Sequence, residues 1–421
     1  MNDMGRILYT VAILVYSAAI RFAGLFGGKA KLWTAGRKGI FNKLENAMAG
    51  LESGRSPLVW FHVSSLGEFE QGRPVMEGLK QQRPGLRIIL TFFSPSGYEI
   101  RKDYPVADFV FYLPPDTPGN VARFLDCVRP DAAFFVKYDF WFNYMDGLCR
   151  RGIPLYVISA LFRPGQYFFR WYGGWARKHL RCVARFFVQD DTSGALLGQA
   201  GIHQFQVTGD TRFDRVVAIA AGSEPMPVVG QFSAGLPLLV AGSTWEPDEE
   251  ILYPLIREMN THVKFIIAPH DTGAARIRQI RERLGVPSVC YSEAAGRDVS
   301  AFPVMIIDSV GLLANIYRYA FAAYIGGGFG GGIHNIQEPV TFGVPVFFGP
   351  NHEKFREAVD LVALSGAFCV TDTGSLGRGF LSLLEHPGNH GAAAAVCRKY
   401  VTGHAGATGR ILESLLADGA F

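Results

Sequence analysis

A chain of 421 residues is long for one hydrophobic core and suggests two domains, each able to bury a sizeable interior. Its 49% hydrophobic and 13% aromatic content excludes a disordered protein, and a net charge of +4 with a pI near 8.7 is too weak to argue for nucleic acid. The cysteines, at 127, 149, 182, 290, 369 and 397, show no CxxC pair and no metal-like spacing, so they read as reduced, mostly buried thiols of a cytosolic compartment.

The first element is an apolar helix. Ile7 to Ile20 carries no charge, is flanked by Arg6 and Arg21, and continues into Phe22, Leu25 and Phe26. A full span needs roughly 20 apolar residues, and Arg21 interrupts the run, which favours a membrane-anchor or interfacial helix over residues 1–27 that enters or lies in one leaflet. Lys29, Lys31, Arg37, Lys38 and Lys43 follow, suiting attraction to anionic headgroups on the cytoplasmic side. A secretory signal is disfavoured by a thin n-region and the lack of a small-x-small cleavage site. A buried core helix is the remaining alternative.

Strands then alternate with helices. Pro57 to Val63, Arg87 to Phe92, Phe109 to Leu113, Ala132 to Val136, Leu155 to Ile158 and Arg185 to Val188 are short apolar runs, separated by helix-like stretches such as Glu68 to Gln82 and Thr192 to Ala200. A second series comprises Leu236 to Ala241, Val263 to Ala268, Pro303 to Ile307, Tyr319 to Ile325 and Val344 to Phe348. This spacing predicts an α/β protein with two Rossmann-like parallel-sheet domains facing a central cleft. The boundaries expected are a domain over 28–220, a linker over 221–235 holding Pro225 and Pro227, and a second domain over 236–421 whose last helix is free to pack back on the first. Ligands of open parallel sheets bind beyond the carboxyl ends of the strands, so the polar residues there are the candidates for chemistry.

Several strand ends carry such residues. After the first strand come Ser64, Ser65, Leu66 and Gly67, and Glu68 then begins a helix, where it either accepts a proton from an attacking hydroxyl or merely complements the helix dipole. His62, within that strand end, either orients the carboxylate or ligand or is a hydrogen-bonded core residue. Lys137 and Asp139 emerge from Ala132 to Val136 at alternate positions and reach a ligand or pair with each other. In the second half, Ser243 and Thr244 sit where an N-cap or a phosphate contact is expected, and Pro269, His270 and Asp271 end the next strand. Tyr319 to Ile325 feeds a glycine-rich turn with Gly327, Gly328 and Gly332, and Asn335 opens a segment of helical spacing. Backbone N–H groups of such a turn and the helix start can hold an anion, and Glu338, one turn in, can accept from the paired hydroxyls of a ribose. A flexible glycine turn with a surface glutamate is the bland alternative.

The segments His62-Val-Ser-Ser-Leu-Gly-Glu68, Thr208-Gly-Asp-Thr-Arg-Phe-Asp214, Ala241-Gly-Ser-Thr244, Gly331-Gly-Ile-His-Asn-Ile-Gln-Glu-Pro339 and Gly343-Val-Pro-Val-Phe-Phe-Gly-Pro350 occur in this order. Together they resemble the 3-deoxy-D-manno-octulosonic acid (Kdo) transferases of lipid A biosynthesis, over the whole chain including the N-terminal anchor. The resemblance implies the GT-B fold and an inverting, metal-independent transfer of Kdo from CMP-Kdo to a lipid A precursor (lipid IVA) at the cytoplasmic face of the inner membrane, with no cofactor. It implies Glu68 as general base, a catalytic place for Asp139, and donor binding by the glycine turn, Asn335 and Glu338 with Ser243 and Thr244 nearby; His62, Ser64 and Ser65 fall to the acceptor side. Where the family commonly has an acidic pair before a Trp, this chain has Lys137 and Asp139. Where it frequently has Pro-Arg-His, this chain has Pro269-His270-Asp271, so His270 or Arg212 stands in for the missing arginine. A GT-B enzyme using another nucleotide sugar, such as a UDP-sugar transferase or epimerase, and a membrane-attached nucleotide-binding protein without catalysis are the rival readings.

Overall fold

The computed structural model describes residues 2–50 and 56–419. Two compact units divide the chain, the first taking Met1–Arg215 with Ala405–Phe421 and the second Val216–His404. Each holds one seven-stranded sheet in which every pairing is parallel. The architecture is the α/β, GT-B type.

In the first unit, helices α1 (Asn2–Ala23), α2 (Gly28–Arg37) and α3 (Ile40–Ala49) precede strand β1 (Leu58–Val63) and helix α4 (Leu66–Gln82). Strands β2 (Arg87–Phe92), β3 (Phe109–Tyr112), β4 (Ala132–Val136), β5 (Leu155–Ala160), β6 (Arg185–Val188) and β7 (Phe205–Val207) complete a sheet of order β3-β2-β1-β4-β5-β6-β7. The central strands are buried on both faces, so they read as continuous apolar runs rather than as alternation. Phe61 and Phe134, neighbours across β1 and β4, stack at 4.5 Å. The second unit pairs β8 (Leu238–Thr244), β9 (Lys264–Pro269), β10 (Ser288–Cys290), β11 (Val304–Ile306), β12 (Ala322–Ile325), β13 (Val346–Phe348) and β14 (Ala367–Cys369) in the order β10-β11-β9-β8-β12-β13-β14.

Residues 221–235, expected as a linker, contain the helix Pro227–Ser233, whose Val229 and Phe232 are fully buried, and the Met226 N–H donates to the Tyr319 hydroxyl at 2.6 Å. The segment belongs to the second unit because Pro227 begins a helix rather than interrupting one. The helix Ala407–Ala417 packs on α4 inside the first unit, where Ile411, Leu412 and Leu415 join Val75, Met76 and Leu79 in one apolar cluster. Asp214 accepts from the N–H groups of Gly406 and Thr408, and the Arg410 guanidinium donates to the Thr208 carbonyl at 2.6 Å.

Helix α1 is docked along one polar stripe. Arg6 bonds Asn143 and pairs with Asp146 at 3.6 Å, the Tyr9 hydroxyl donates to Asp116 at 2.6 Å, and Tyr16 stacks on Phe93. Its opposite side leaves Ile7, Leu8, Val11, Leu14, Val15 and Phe22 exposed, and Leu25 and Phe26 beyond it reach 78% and 79% exposure. The segment Met4–Phe26 is long and apolar enough to cross a bilayer by length and composition, and it is not a buried core helix.

The expectation of reduced cysteines is corrected at one pair: Cys149 and Cys182 form a disulfide. The helices Phe142–Arg150 and Gly174–Leu180 pack together and bring the two Cα atoms to 5.6 Å, a proximity that a separation of 33 residues does not announce. Cys290 and Cys397 are buried, but Cys127 is partly accessible and Cys369 is exposed.

His62 is also corrected. It is completely buried, its Nε2 accepts from the Trp141 indole N–H at 2.8 Å, and its Nδ1 lies 2.9 Å from the Thr91 hydroxyl. An indole only donates, so Nε2 is unprotonated and Nδ1 carries the proton toward Thr91. Thr91 also accepts from Trp60 and hands its own proton to the Phe61 carbonyl. Both ring nitrogens are occupied within the core, leaving none for an acceptor substrate.

Two outcomes follow for stability. Ile411→Ala removes a fully buried side chain and is expected to cost about 2–5 kcal/mol in urea denaturation. Burial lowers the His62 pKa to about 3, below its ordinary 6.5, so the unfolded chain binds this proton first. The stability tied to neutral His62 is complete above pH 6.5 and is lost as pH falls toward 3, with a slope of up to about 1.4 kcal/mol per pH unit. His62→Gln, followed by denaturant titrations across this range, is expected to flatten that slope by one proton.

Candidate functional site

The turn after β1 positions the first cluster. Ser65 takes an extended conformation and its carbonyl accepts from the Phe69 N–H at 3.1 Å, which starts α4 and places Glu68 in its first turn. Glu68 is only 9% exposed, and its Oε2 is buried without a hydrogen-bond partner. A buried carboxylate oxygen left open is costly unless something else is to occupy it, and here it lies at the positive end of a helix of 17 residues.

Asp139 closes the other side of this turn. Its two oxygens accept from the N–H and the hydroxyl of Ser64, at 2.7 and 2.6 Å. Burial pushes its pKa up to about 7 against the stabilising Ser64 bonds, and the neighbouring Glu68 charge pushes in the same direction. Lys137, just past β4, sits at φ +64°, a left-handed conformation that a non-glycine residue rarely adopts. Its ammonium lies 5.0 Å from the Tyr138 ring. The Tyr138 hydroxyl feels the charges of Glu68, Asp139, Arg163 and Arg212, which marks these groups as one electrostatic neighbourhood of the first unit. Ser64 and Ser65 are partly accessible on its edge.

Arg212, expected at the donor phosphate, is in the first unit and forms a close pair with buried Asp210, with N–O distances of 2.8 and 2.7 Å. Asp210 also accepts from the Arg212 N–H and the Gln71 amide, so the pair is a built-in brace of the helix start at Thr211.

The second cluster surrounds β8 and β12. Strand β8 is bulged at Ser243, which takes φ +54° between register positions Gly242 and Thr244. Thr244 is buried and its hydroxyl donates to Glu249 at 3.0 Å, while Glu249 is also bound by Tyr253 and Arg276. Thr244 is therefore engaged inside the protein, and Ser243 is the accessible one of the two.

The glycine turn is pressed against this bulge. A Cβ on Gly326 would stand 2.3 Å from the Ser243 carbonyl oxygen, and Gly327 has φ +92°, so only glycine fits either place. Asp248 ties the two turns together: it accepts from the N–H groups of Trp245 and Gly327 and from the Tyr324 hydroxyl, each at 2.9 Å. The N–H groups of Gly328, Phe329 and Gly331 donate to no protein acceptor among the described residues. Those groups, with Gly332 at φ +133° closing the turn, suit an anion. The helix expected from Asn335 is short, Gln337–Thr341. Asn335 precedes it, accepting from the Gln337 N–H and donating to Glu338 Oε1, both at 3.0 Å.

Three aromatic rings flank the turn. His270, beyond β9, stacks on Trp245 at 4.4 Å and on His334 at 4.7 Å, and the Trp245 indole donates to His334 Nε2 at 3.0 Å. Burial and His270 both lower the His334 pKa, which keeps the acceptor nitrogen free of a proton. Trp245, Asp248 and His334 were not singled out from the sequence. Their one local signal is position beside Ser243-Thr244 and within the glycine-turn segment.

The structure thus gathers Ser64, Ser65, Glu68 and Asp139 in one unit, and Ser243, His270, Gly327, Gly328, Gly332, Asn335 and Glu338 in the other, with Thr244 in the wall behind them. The family model for 3-deoxy-D-manno-octulosonic-acid transferase matches residues 37–215. A 3-deoxy-D-manno-octulosonic acid transferase of Bordetella pertussis is 28% identical over 98% of this chain and 99% of its own length, and one from Haemophilus influenzae is 25% identical over 88% of each. Among solved structures, UDP-GlcNAc 2-epimerase from Neisseria meningitidis superposes with a TM-score of 0.62 at 17% identity, covering 86% of this chain and all of that one, a likeness of fold alone. With an acidic first-turn residue after β1 and a glycine turn after β12, the chain is a glycosyltransferase whose residues 37–215 match the Kdo transferase family model and which is similar to Kdo transferases along nearly its whole length.

Proposed function

We propose that the chain transfers Kdo from CMP-Kdo to a sugar hydroxyl of a lipid A precursor, lipid IVA, with Glu68 as general base. The observation that carries this reading is the buried, unpartnered Oε2 of Glu68 at the mouth of α4. The acceptor oxygen forms a bond to the ketosidic carbon of Kdo, the bond from that carbon to the phosphate oxygen breaks with its electron pair going to CMP, and the hydroxyl proton passes to Glu68. CMP departs as a stable anion, so no strong general acid is required.

Asp139 is assigned a supporting place. It holds the Ser64 turn through both of its oxygens and so fixes the segment that leads into Glu68. Ser64 and Ser65 are assigned to the acceptor. In the second unit the free N–H groups of the glycine turn take the donor phosphate, with His270 and Ser243 beside them, and Glu338, steadied by Asn335, accepts from the ribose hydroxyls. No metal or cofactor enters this scheme, because amide dipoles answer the phosphate charge. Residues 1–27 are assigned to the cytoplasmic face of the inner membrane, where the exposed side of α1 lies in the interface and its polar stripe holds the enzyme. The likeness to UDP-GlcNAc 2-epimerases concerns the fold, and the family match favours Kdo over a UDP-sugar.

Glu68→Gln is expected to lower kcat roughly 10²–10⁴-fold, read from product masses with CMP-Kdo and a tetra-acylated lipid A precursor; near-normal turnover would remove Glu68 from the mechanism. Glu338→Ala is expected to weaken CMP binding by roughly 10–100-fold in calorimetry, and an unchanged affinity counts against the ribose contact.

A further inference from the structure

Three neighbouring strands of the first sheet release charged side chains at one edge. Strand β4 lies between β1 and β5, with Phe135 opposite His62 and Val136 opposite Ile158. Ser64 and Lys137 therefore leave adjacent strands spaced about 4.8 Å apart, and Arg163 comes from the turn after β5. Lys137 is locked in place: its N–H donates to the Ile158 carbonyl at 2.9 Å, and its left-handed backbone, φ +64°, is one that a residue with a Cβ keeps only under constraint. Its ammonium stands 5.0 Å from the Tyr138 ring. Burial raises the Asp139 pKa, and the Ser64 bonds and the Lys137 charge oppose that rise. On the other side of Tyr138, Arg163 opposes the effect of burial, Glu68 and Asp139 on the tyrosine hydroxyl. Arg163 is exposed and forms no ion pair among the described residues. Arg212, a third cation of this neighbourhood, is engaged by Asp210.

The chemistry assigned to Glu68 makes a demand on this edge. Kdo bears its C1 carboxylate directly on C2, the ketosidic carbon that the acceptor oxygen attacks. An oxygen within about 3.5 Å of C2 and hydrogen-bonded to Glu68 at about 2.8 Å brings the two carboxylates to roughly 6–7 Å of each other. Like charges at that distance in a partly desolvated site repel, and buried Asp139 adds to the repulsion. A donor of this kind approaches the base only where cations offset the encounter. Lys137 supplies an ammonium with three donors, and Arg163 a guanidinium whose paired N–H groups match a carboxylate.

We propose that Lys137 and Arg163 form a seat for the C1 carboxylate of the Kdo residue undergoing transfer. The assignment rests on the transfer proposed above and names the groups by which a sugar acid is told from a neutral sugar. The test compares kcat/KM for CMP-Kdo and for its C1 carboxamide, using the 421-residue chain in nonionic detergent with the tetra-acylated lipid A precursor as acceptor. Dividing each variant's value by that of the unaltered chain on the same donor cancels the intrinsic reactivity of the two donors. Lys137→Met and Arg163→Met are each expected to lose roughly 10–100-fold on CMP-Kdo and less than about threefold on the carboxamide, with Lys137→Arg retaining the preference for the charged donor. Lys137→Gly separates this role from a structural one: glycine accepts the left-handed backbone, so the thermal midpoint is expected to hold while the discrimination is lost. Equal losses on both donors, or unchanged kinetics in the methionine variants, overturn the proposal. So does a loss confined to an acceptor that already carries a Kdo residue, because the seat then serves the acceptor's carboxylate. Product formed by the unaltered chain, with losses blind to the C1 charge, leaves the transfer standing without the seat, whereas no product from CMP-Kdo overturns both.

Discussion

Buried aspartates that take up the amide donors of strand-end turns are the constraint on which both units depend. A parallel sheet releases each chain at its carboxyl edge into a turn whose N–H groups have lost their ladder partners, and burying them unpaired is costly. Asp139 answers this for the turn after β1, Asp116 for the N–H groups of Asn143 and Tyr144, and Asp248 for those of Trp245 and Gly327. Two of the three carboxylates are shared with a further element: Asp116 with α1 through Tyr9, and Asp248 with β12 through Tyr324. The turns to which the chemistry is assigned are thereby fixed by the same groups that make burial tolerable.

What remains open is correspondingly informative. Around these satisfied turns, the free Glu68 oxygen and the unpartnered amides of the glycine turn stand out as polar groups awaiting a ligand. The left-handed conformations of Lys137 and Ser243, each at a strand end, store strain in the same places.

Much of this was legible in the sequence, for a local reason. β2, β4 and β6 were read with their observed bounds because strands covered on both faces are unbroken apolar runs. Glu68 was singled out as a candidate because a serine-rich turn between an apolar run and a helical pattern is a contiguous signal. The short strands β7, β10 and β14 were not, being three residues each and lying toward the sheet edges. Asp248, Trp245 and His334 were missed because their partners lie 76 to 89 residues away, and the same distance in sequence hid the true surroundings of His62. The helix Pro227–Ser233 lies within the stretch expected as a linker, because Pro227, taken there with Pro225 as a linker signal, marks a helix start.

The return of residues 405–421 to the first unit has a consequence for biosynthesis. Ile411, Leu412 and Leu415 fill a groove on α4 that belongs to the unit built from the opening half of the polypeptide. On the ribosome that groove stays vacant until the helix Ala407–Ala417 has been made, after every strand of the second sheet, so the amino-terminal lobe cannot mature ahead of its neighbour, and a nascent chain must shield the bare flank of α4 in the meantime.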